Sequence, residues 1–175
     1  MKKRILFSRE VIAERTAELG RTISDFYRDA PLTVVTLMNG GMIFAADLIR
    51  NIDVADLRLD SFAASSYEND ASSGNLKIRS NLKLSVEGRH VLLVDDILDT
   101  GCTLKHMEAY FLTLKPLSVR SCVLLNKILN PGKTKSVDAD WIGFAVQDLY
   151  VIGYGLDSRE SYRNLPEISV IEPDE

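Results

Sequence analysis

Segments of strand length alternate with segments of helical periodicity along most of this 175-residue chain, and this alternation constrains the fold most strongly. Three of the strand-like segments, residues 32–37, 90–94 and 119–125, are short and apolar or β-branched almost throughout. Strands without a polar face are typical of parallel sheets that are covered by helices on both sides. The alternation therefore predicts an α/β fold with a central, mostly parallel twisted sheet flanked by helices.

Helices are predicted between these strands. Ser8 is suited to cap a first helix over about 9–29, and Pro31 marks its exit. Two further helices are predicted over about 42–51 and 103–114. The remaining strands are predicted over about 56–62, 76–84, 141–146, 149–154 and 168–171. In sheets of this kind, ligands bind beyond the carboxyl ends of the strands.

Composition narrows the class of protein. The length suits one domain with a full core. With a net charge of −4 and no run of Lys and Arg longer than residues 2–4, neither nucleic acid nor a membrane surface is expected as a partner. No apolar run reaches the roughly 20 residues that a membrane span needs. Cys102 and Cys122 are too few for a disulfide framework or a metal quartet. We therefore expect a cytoplasmic protein.

The most informative motif is VLLVDDILDTGCTL, residues 91–104, in which an apolar strand runs into two aspartates and then into a turn of small residues. Residues 100–103 enter a helix, and the N–H groups and dipole of a helix N-terminus suit a phosphate. The carboxylates of Asp95 and Asp96 suit ribose hydroxyls and the water ligands of Mg²⁺. The motif thus favours a phosphorylated ribose with a metal-bound second anion, as in phosphoribosyl pyrophosphate.

A purely structural interpretation of the motif stays open. Asp99 and Thr100 would then cap the helix, and Asp95 and Asp96 would be solvated charges at the end of a strand. The motif is also not a Walker A loop, because it has no Gly-Lys-Ser or Gly-Lys-Thr sequence.

The same stretch resembles the phosphoribosyl pyrophosphate signature of the type I phosphoribosyltransferases. Four other segments resemble the hypoxanthine–guanine phosphoribosyltransferases in that family's order: residues 36–50, 65–78, 124–127 and 149–165. The resemblance covers roughly residues 5–172. It implies a single domain over residues 1–175, with a core at about 30–130, a small hood from about 1–8 and 131–175, and a flexible lid loop.

The resemblance assigns roles within the signature. Asp95 and Asp96 would hold the ribose hydroxyls and metal-bound water, and Asp99 would be the catalytic residue near N7 of the purine. The 5′-phosphate would be held by Thr100, Gly101, Cys102 and Thr103. Relatives often have Lys or another long side chain where Cys102 stands, but backbone N–H donors are expected to suffice there.

Other roles follow from the remaining segments. Pyrophosphate would be bound by Met38, Asn39, Gly40 and Arg163, with a cis peptide between Met38 and Asn39. Asn39 also departs from the family, because relatives often have Lys there. Asp157 would bind Mg²⁺ together with Asp95 and Asp96, and Ser66 and Tyr67 would belong to the lid. Without the resemblance, an ordinary glycine turn and surface charges would be the favoured interpretation, and a surface loop would fit Ser66 and Tyr67 equally well.

The purine would be bound by Lys127, Tyr150 and Val151. The Lys127 ammonium is only a donor, so it would pair with the 6-oxo group of hypoxanthine or guanine and oppose the 6-amino group of adenine. Tyr150 would stack on the base, and the backbone of Val151 would contact its edge. Taken alone, Lys127 would be interpreted first as a charged strand end, and Tyr150 and Val151 as core residues of a strand.

The expected function is Mg²⁺-dependent purine salvage by a homodimer or homotetramer. The 5-phosphoribosyl group would pass from phosphoribosyl pyrophosphate to N9 of hypoxanthine or guanine, giving IMP or GMP and pyrophosphate. The alternative is a nucleic-acid-binding regulator of the same fold that senses nucleotides. The charge of −4 and the retention of Asp99 disfavour it. A nucleotide-binding oxidoreductase is disfavoured because the segment 153–155 lacks the third glycine of the dinucleotide fingerprint.

Overall fold

The structure, a computed structural model, describes residues 2–65, 77–78 and 82–172. Within these residues it contains three helices: α1 (Arg9–Tyr27), α2 (Gly41–Ile49) and α3 (Cys102–Leu112). The strands are β1 (Lys2–Phe7), β2 (Leu32–Met38), β3 (Leu57–Ser65), β4 (Lys77–Ile78), β5 (His90–Leu98), β6 (Ser118–Ile128), β7 (Trp141–Gln147), β8 (Val151–Ile152) and β9 (Ile168–Glu172). No helix in these ranges is both long and apolar enough to cross a membrane.

The larger sheet confirms the predicted α/β architecture. Its six strands follow the order β4-β3-β2-β5-β6-β7, and only the edge strand β4 is antiparallel to its neighbour. From β2 the chain adds β3 on one side and then crosses to β5 on the other. The strand order therefore reverses between β2 and β5, and in open α/β sheets the ligand crevice lies at the carboxyl ends of such a pair.

Helices cover both faces of this sheet because alternate residues of its strands point to opposite sides. On one face, Leu92 and Val94 belong to a buried cluster with residues of α1 and α2, such as Ile12 and Phe44. On the other, Val91 and Leu93 belong to a cluster with residues of α3, including Met107 and Phe111. Ser8 caps α1 as predicted, with its Oγ accepting a hydrogen bond from the N–H of Val11 at 3.4 Å.

A second, antiparallel sheet has the order β1-β9-β8. Its residues Val151, Ile168 and Val170 are buried in the same cluster as α1 and α2, which joins the small sheet to the core. The core extends beyond the expected range 30–130, because it includes β7. Trp141–Gln147 pairs in parallel with β6 and forms the edge of the larger sheet.

Two strand boundaries differ from the predictions. β5 continues to Leu98 instead of ending at 94, because Asp95 and Ile97 still pair with Val123 and Leu125 of β6. The strand expected over 149–154 is only Val151–Ile152. Gly153 follows it at once with a φ of +96°, which turns the chain away from the sheet.

Candidate active site

The crevice at the carboxyl ends of β2 and β5 holds the first two aspartates of the signature. Asp95 and Asp96 lie near the carboxyl end of strand β5, which ends at Leu98. They line a cavity of about 270 Å³ together with residues 97–104 and Val123. The longer β5 thus places these carboxylates beside the paired strand β6 instead of in open solvent, which the interpretation as solvated strand-end charges had required.

The electrostatics of Asp95 and Asp96 are unfavourable in the absence of a ligand. Burial raises the pKa of the Asp95 carboxyl well above its usual range, and the neighbouring Asp96 carboxylate adds to the effect. Burial also raises the pKa of Asp96, against hydrogen bonds from the Asp95 side chain and the backbone and a smaller contribution from the Arg163 guanidinium. The ionised forms of two carboxylates held together in this way would be stabilised by hydroxyl donors or by a hydrated divalent cation.

The segment after β2 packs directly on these aspartates. The peptide between Met38 and Asn39 is cis, as predicted. A Cβ at Gly40 would lie 2.0 Å from Oδ2 of Asp96, and one at Gly41 would lie 2.8 Å from the carbonyl oxygen of Val94. Only residues without a side chain allow the start of α2 to approach β5 so closely.

The turn after β5 leads into the N-terminus of α3. Gly101 has a φ of +77° and is the N-cap residue, and a Cβ there would lie 2.9 Å from the carbonyl oxygen of Val137. The carbonyl oxygen of Thr100 accepts hydrogen bonds from the N–H and the Oγ of Ser136, at 2.8 and 3.1 Å. The loop 136–137 therefore packs against the proposed phosphate turn and fixes its position.

Neither Asp99 nor Thr100 is the N-cap residue of α3 that the structural alternative assumed. The N-cap is Gly101, which makes no side-chain hydrogen bond. The Oγ1 of Thr100 lies a long 3.5 Å from the N–H of Cys102. The carboxylate of Asp99 is engaged elsewhere, by Lys127.

Cys102 is an exposed free thiol at the start of α3. Its Sγ lies 3.6 Å from Nδ1 of His106, one turn further along the helix, and the same nitrogen lies 2.7 Å from the carbonyl oxygen of Cys102. The imidazole is therefore shared between the thiol and the backbone.

The residues predicted to bind the purine lie at the ends of β6 and β8. Nζ of Lys127 lies 3.3 Å from Oδ2 of Asp99 and 3.2 Å from Oδ1 of Asp148. The side chain of Tyr150 is 56% exposed, whereas Val151 is buried and pairs with Val170. The parallel register of β5 and β6 thus brings Lys127 and Asp99 together although 28 residues separate them.

Asp157 and Arg163 form an ion pair beside the glycine turn of the second sheet. Nη2 of Arg163 lies 2.9 Å from Oδ1 of Asp157, and Nη1 donates to the carbonyl oxygen of Gly155 at 2.7 Å. A Cβ at Gly155 would lie 2.3 Å from the carbonyl oxygen of Gly40. Arg163 is thereby held against the segment that precedes α2.

The predicted metal ligands do not form a closed protein cage. Among the described residues, no group of three or more His, Cys, Asp or Glu side chains is arranged to hold a metal ion. Asp157 is shared between Arg163 and the N–H of Glu160, at 2.8 Å from its Oδ2. The lid residues Ser66 and Tyr67 lie outside the described residues.

Asp148 was missed by the reasoning from sequence. It follows β7 immediately, and β7 lies next to β6 in the sheet. The carboxyl ends of parallel strands meet at one edge, so an acidic residue directly after such a strand was the available signal.

Comparison with known proteins defines first the class and then the branch within it. The family model "Phosphoribosyl transferase domain" matches residues 8–159. The hypoxanthine-guanine phosphoribosyltransferase of Bacillus subtilis is 40% identical over 172 residues, covering 98% of this chain and 94% of that protein. The hypoxanthine-guanine-xanthine phosphoribosyltransferase of Tritrichomonas foetus is 37% identical, covering 97% of this chain and 92% of that protein.

Solved structures agree with the sequence relatives. The crystal structure of a hypoxanthine phosphoribosyltransferase from Staphylococcus aureus matches with a TM-score of 0.90 and 37% identity, covering 97% of this chain and 91% of that one. The chain belongs to the hypoxanthine–guanine branch of the phosphoribosyltransferase family.

Proposed function

We propose that this protein is an enzyme of purine salvage. It transfers the 5-phosphoribosyl group from phosphoribosyl pyrophosphate to N9 of hypoxanthine or guanine and releases pyrophosphate. The observation that carries the proposal is the pairing of a donor and an acceptor, Lys127 and Asp99, 3.3 Å apart at the carboxyl edge of the sheet.

This pair fits one edge of a 6-oxopurine. O6 and N7 are neighbouring polar atoms of guanine, and O6 accepts hydrogen bonds from lysine ammonium groups. When N9 is the free nitrogen of the five-membered ring, N7 carries the proton and donates to a carboxylate. Lys127 would therefore bind O6 while Asp99 binds N7–H. Adenine has an amino group at position 6, which would face the ammonium donor to donor.

The exposed ring of Tyr150 lies one residue before Val151 and is available to stack on a base. Burial of Val151 in β8 holds its backbone in place beside that ring. These two residues would orient the purine in the plane that Lys127 and Asp99 require.

The ribose and phosphate side of the substrate fits the other half of the crevice. Asp95 and Asp96 would accept hydrogen bonds from the vicinal hydroxyls, and the turn Thr100–Thr103 at the N-terminus of α3 would bind the 5′-phosphate. Met38, Asn39, Gly40 and Arg163 would bind the pyrophosphate group.

The donor set also fits Mg²⁺. This ion keeps several of its waters and is usually held by one or two carboxylates together with substrate phosphates. Asp95, Asp96 and Asp157 supply such carboxylates without forming a cage. Bound Mg²⁺ would neutralise charge on the departing pyrophosphate.

Asp99 is proposed as the catalytic residue. As the bond between C1′ and pyrophosphate breaks, the ribose takes on oxocarbenium character and N9 bonds to C1′. The Asp99 carboxylate would accept the N7 proton and so increase electron density at N9. General-base catalysis of this kind contributes about 10²–10⁴-fold to a rate.

The enzyme is proposed to be cytoplasmic, where its two free thiols would stay reduced. From the family resemblance, a homodimer or homotetramer is the proposed assembly.

The deciding experiment offers the protein phosphoribosyl pyrophosphate and Mg²⁺ with hypoxanthine, guanine, xanthine, adenine or uracil in turn. Formation of the 5′-monophosphate of hypoxanthine or guanine, with far less product from adenine, is expected. Failure to convert any purine would refute the proposed activity. Nucleotide binding without turnover, together with a shift of labelled RNA or DNA, would instead favour the regulator.

A further inference from the structure

The surroundings of the Lys127 ammonium include a carboxylate that the proposed reaction does not use. Nζ of Lys127 lies as close to Asp148, at 3.2 Å, as it does to Asp99, at 3.3 Å. The Lys127 side chain is only 15% exposed, and a largely buried cation needs a partner. Asp99 is 52% exposed and faces the place where the base would enter, whereas Asp148 is 24% exposed.

Asp148 is itself held from the side opposite Lys127. Its Oδ1 contacts the ammonium, while its Oδ2 lies 3.3 Å from Nδ2 of Asn130 and 3.7 Å from Nζ of Lys133. The loop after β6 therefore fixes the outer oxygen of the carboxylate. This division of the two oxygens keeps the inner one turned toward Lys127.

We propose that Asp148 is a positioning residue that holds the Lys127 ammonium at the O6 side of the purine site. This inference rests on the proposed function. An ammonium group has three N–H donors, and in this structure one points to Asp99 and one to Asp148, which leaves one for O6. When N7–H engages Asp99, the charge of Lys127 is balanced by Asp148.

The protonation of Lys127 depends on the same contacts. Burial acts to lower the pKa of Lys127, but the hydrogen bonds to Asp148 and Asp99 outweigh burial and leave the pKa raised. The pKa of the Asp148 carboxyl is lowered, first by its hydrogen bond to Lys127. Among the described residues, two further cations belong to the same surroundings: Lys133, on the outer oxygen of Asp148, and Lys135, bonded to the amide of Asn126 next to Lys127.

Without the Asp148 charge, burial would weigh more heavily, and the pKa of Lys127 would fall. The ammonium would then lose its proton at a lower pH and could no longer donate all its hydrogen bonds. Binding of a 6-oxopurine should therefore fail at a less alkaline pH than in the unaltered enzyme.

The test compares Asp148→Asn with the unaltered enzyme. We expect KM for hypoxanthine to rise about tenfold, because a neutral amide oxygen accepts a weaker hydrogen bond from the ammonium than a carboxylate does. KM for phosphoribosyl pyrophosphate should not change, and the alkaline limb of kcat/KM for hypoxanthine should move to lower pH. Asp148→Glu should restore the position of that limb. Asp138→Asn, at an exposed carboxylate of the loop between β6 and β7, is the matched control and should change neither quantity.

A measurement without substrate separates this inference from the proposed activity. The lysines are reductively methylated with ¹³C, the Lys127 signal is assigned with Lys127→Arg, and its titration is followed by NMR. We expect a lower midpoint in Asp148→Asn. An unmoved midpoint, or an unmoved alkaline limb in the folded variant, would overturn the inference. Lack of product with every base would refute the proposed activity and leave the NMR result decisive for Asp148. If circular dichroism shows that Asp148→Asn is unfolded, Asp148→Ser replaces it in both measurements.

Discussion

Individual carboxylates in this site differ in their environment more than in their chemistry. Asp95 and Asp96 are partly buried beside each other, and burial raises the pKa of both. Asp99, three residues further along the chain, is exposed and paired with Lys127. One short motif therefore supplies two carboxylates whose ionised forms would be stabilised by donors of a ligand. It also supplies a third carboxylate, Asp99, which is exposed and could accept a proton from the incoming base.

Asp99→Asn should lower kcat by about 10²–10⁴-fold, because an amide cannot take up the N7 proton. KM for phosphoribosyl pyrophosphate should stay within about a few fold, since the proposed phosphate and ribose contacts come from other residues. Steady-state kinetics in which phosphoribosyl pyrophosphate is varied at saturating hypoxanthine would measure both. An unchanged kcat would show that Asp99 does not act on the base.

Asp95→Asn should stabilise the free protein at neutral pH by about 1 kcal/mol, a typical gain when an unfavourable functional residue is neutralised. The asparagine Oδ1 can still accept the hydrogen bond that Asp95 accepts from the N–H of Asp96, at 2.9 Å. Since the folded-state pKa of Asp95 is raised, its ionisation costs stability progressively as pH rises above the unfolded value of about 4.

Thermal unfolding at several pH values would test this. The stabilisation by Asp95→Asn should be larger at neutral pH than in acid and should vanish as pH falls below about 4, where the carboxyl becomes protonated in both states. A stabilisation that does not depend on pH would show that the cost of ionising the buried Asp95 carboxyl beside Asp96 is not its cause. Affinity for phosphoribosyl pyrophosphate should fall in the same variant.

At the scale of elements, the site depends on how closely helix and strand approach. α2 begins at Gly41, against the backbone of β5, and its N-cap Gly40 lies on the Asp96 carboxylate. The register of β5 with β6 in turn brings Asp99 to Lys127. A small displacement of α2 would therefore disturb the proposed pyrophosphate and ribose contacts at once.

Gly40→Ala should raise KM for phosphoribosyl pyrophosphate by on the order of 10²-fold, since a displacement of about 1 Å in a site can have an effect of that size. The added Cβ would lie 2.0 Å from Oδ2 of Asp96, so the carboxylate or the segment must move. Gly88→Ala is the control: its φ of +70° strains an alanine, but its Cβ would meet no atom within 4 Å. Equal effects of the two substitutions on KM would contradict the role of close packing at Gly40.

At the scale of the whole molecule, the crevice lies where the two sheets meet. Gly155, in the turn after β8, packs against Gly40, and Tyr154 donates a hydrogen bond from its hydroxyl to Oδ2 of Asp47 on α2 at 2.7 Å. The pyrophosphate contacts proposed for Arg163 and Gly40 thus come from both sheets. A ligand bound there would link them.

Phosphoribosyl pyrophosphate with Mg²⁺ should therefore raise the thermal stability of the whole chain in one transition. At a ligand concentration of 100 times Kd the gain is about 2.7 kcal/mol. Because Asp95 and Asp96 repel each other, the gain should be much smaller when EDTA removes Mg²⁺. Differential scanning calorimetry with and without EDTA would measure it, and equal shifts would exclude a role for the ion in binding.

Most of the architecture was predictable because it follows from local patterns. Continuous apolar runs predicted β2, β5 and β6, Ser8 predicted the start of α1, and their alternation predicted a parallel sheet. The motif 91–104 located the carboxylates and the phosphate turn by their position at the end of a strand. The predictions that differed from the structure concern details: the end of β5, the length of β8 and the membership of β7 in the core.

The sequence alone determined the class of fold, the edge of the sheet that carries the site, and the segments that reach this edge. Only the tertiary structure decided which side chains meet there. Lys127 lies between Asp99 and Asp148, which are 28 and 21 residues away from it, and Gly155 meets Gly40 across the two sheets. The physical reason is that periodicity and propensity act over a few residues, whereas such contacts depend on strand order and register, which the packing of the entire core selects.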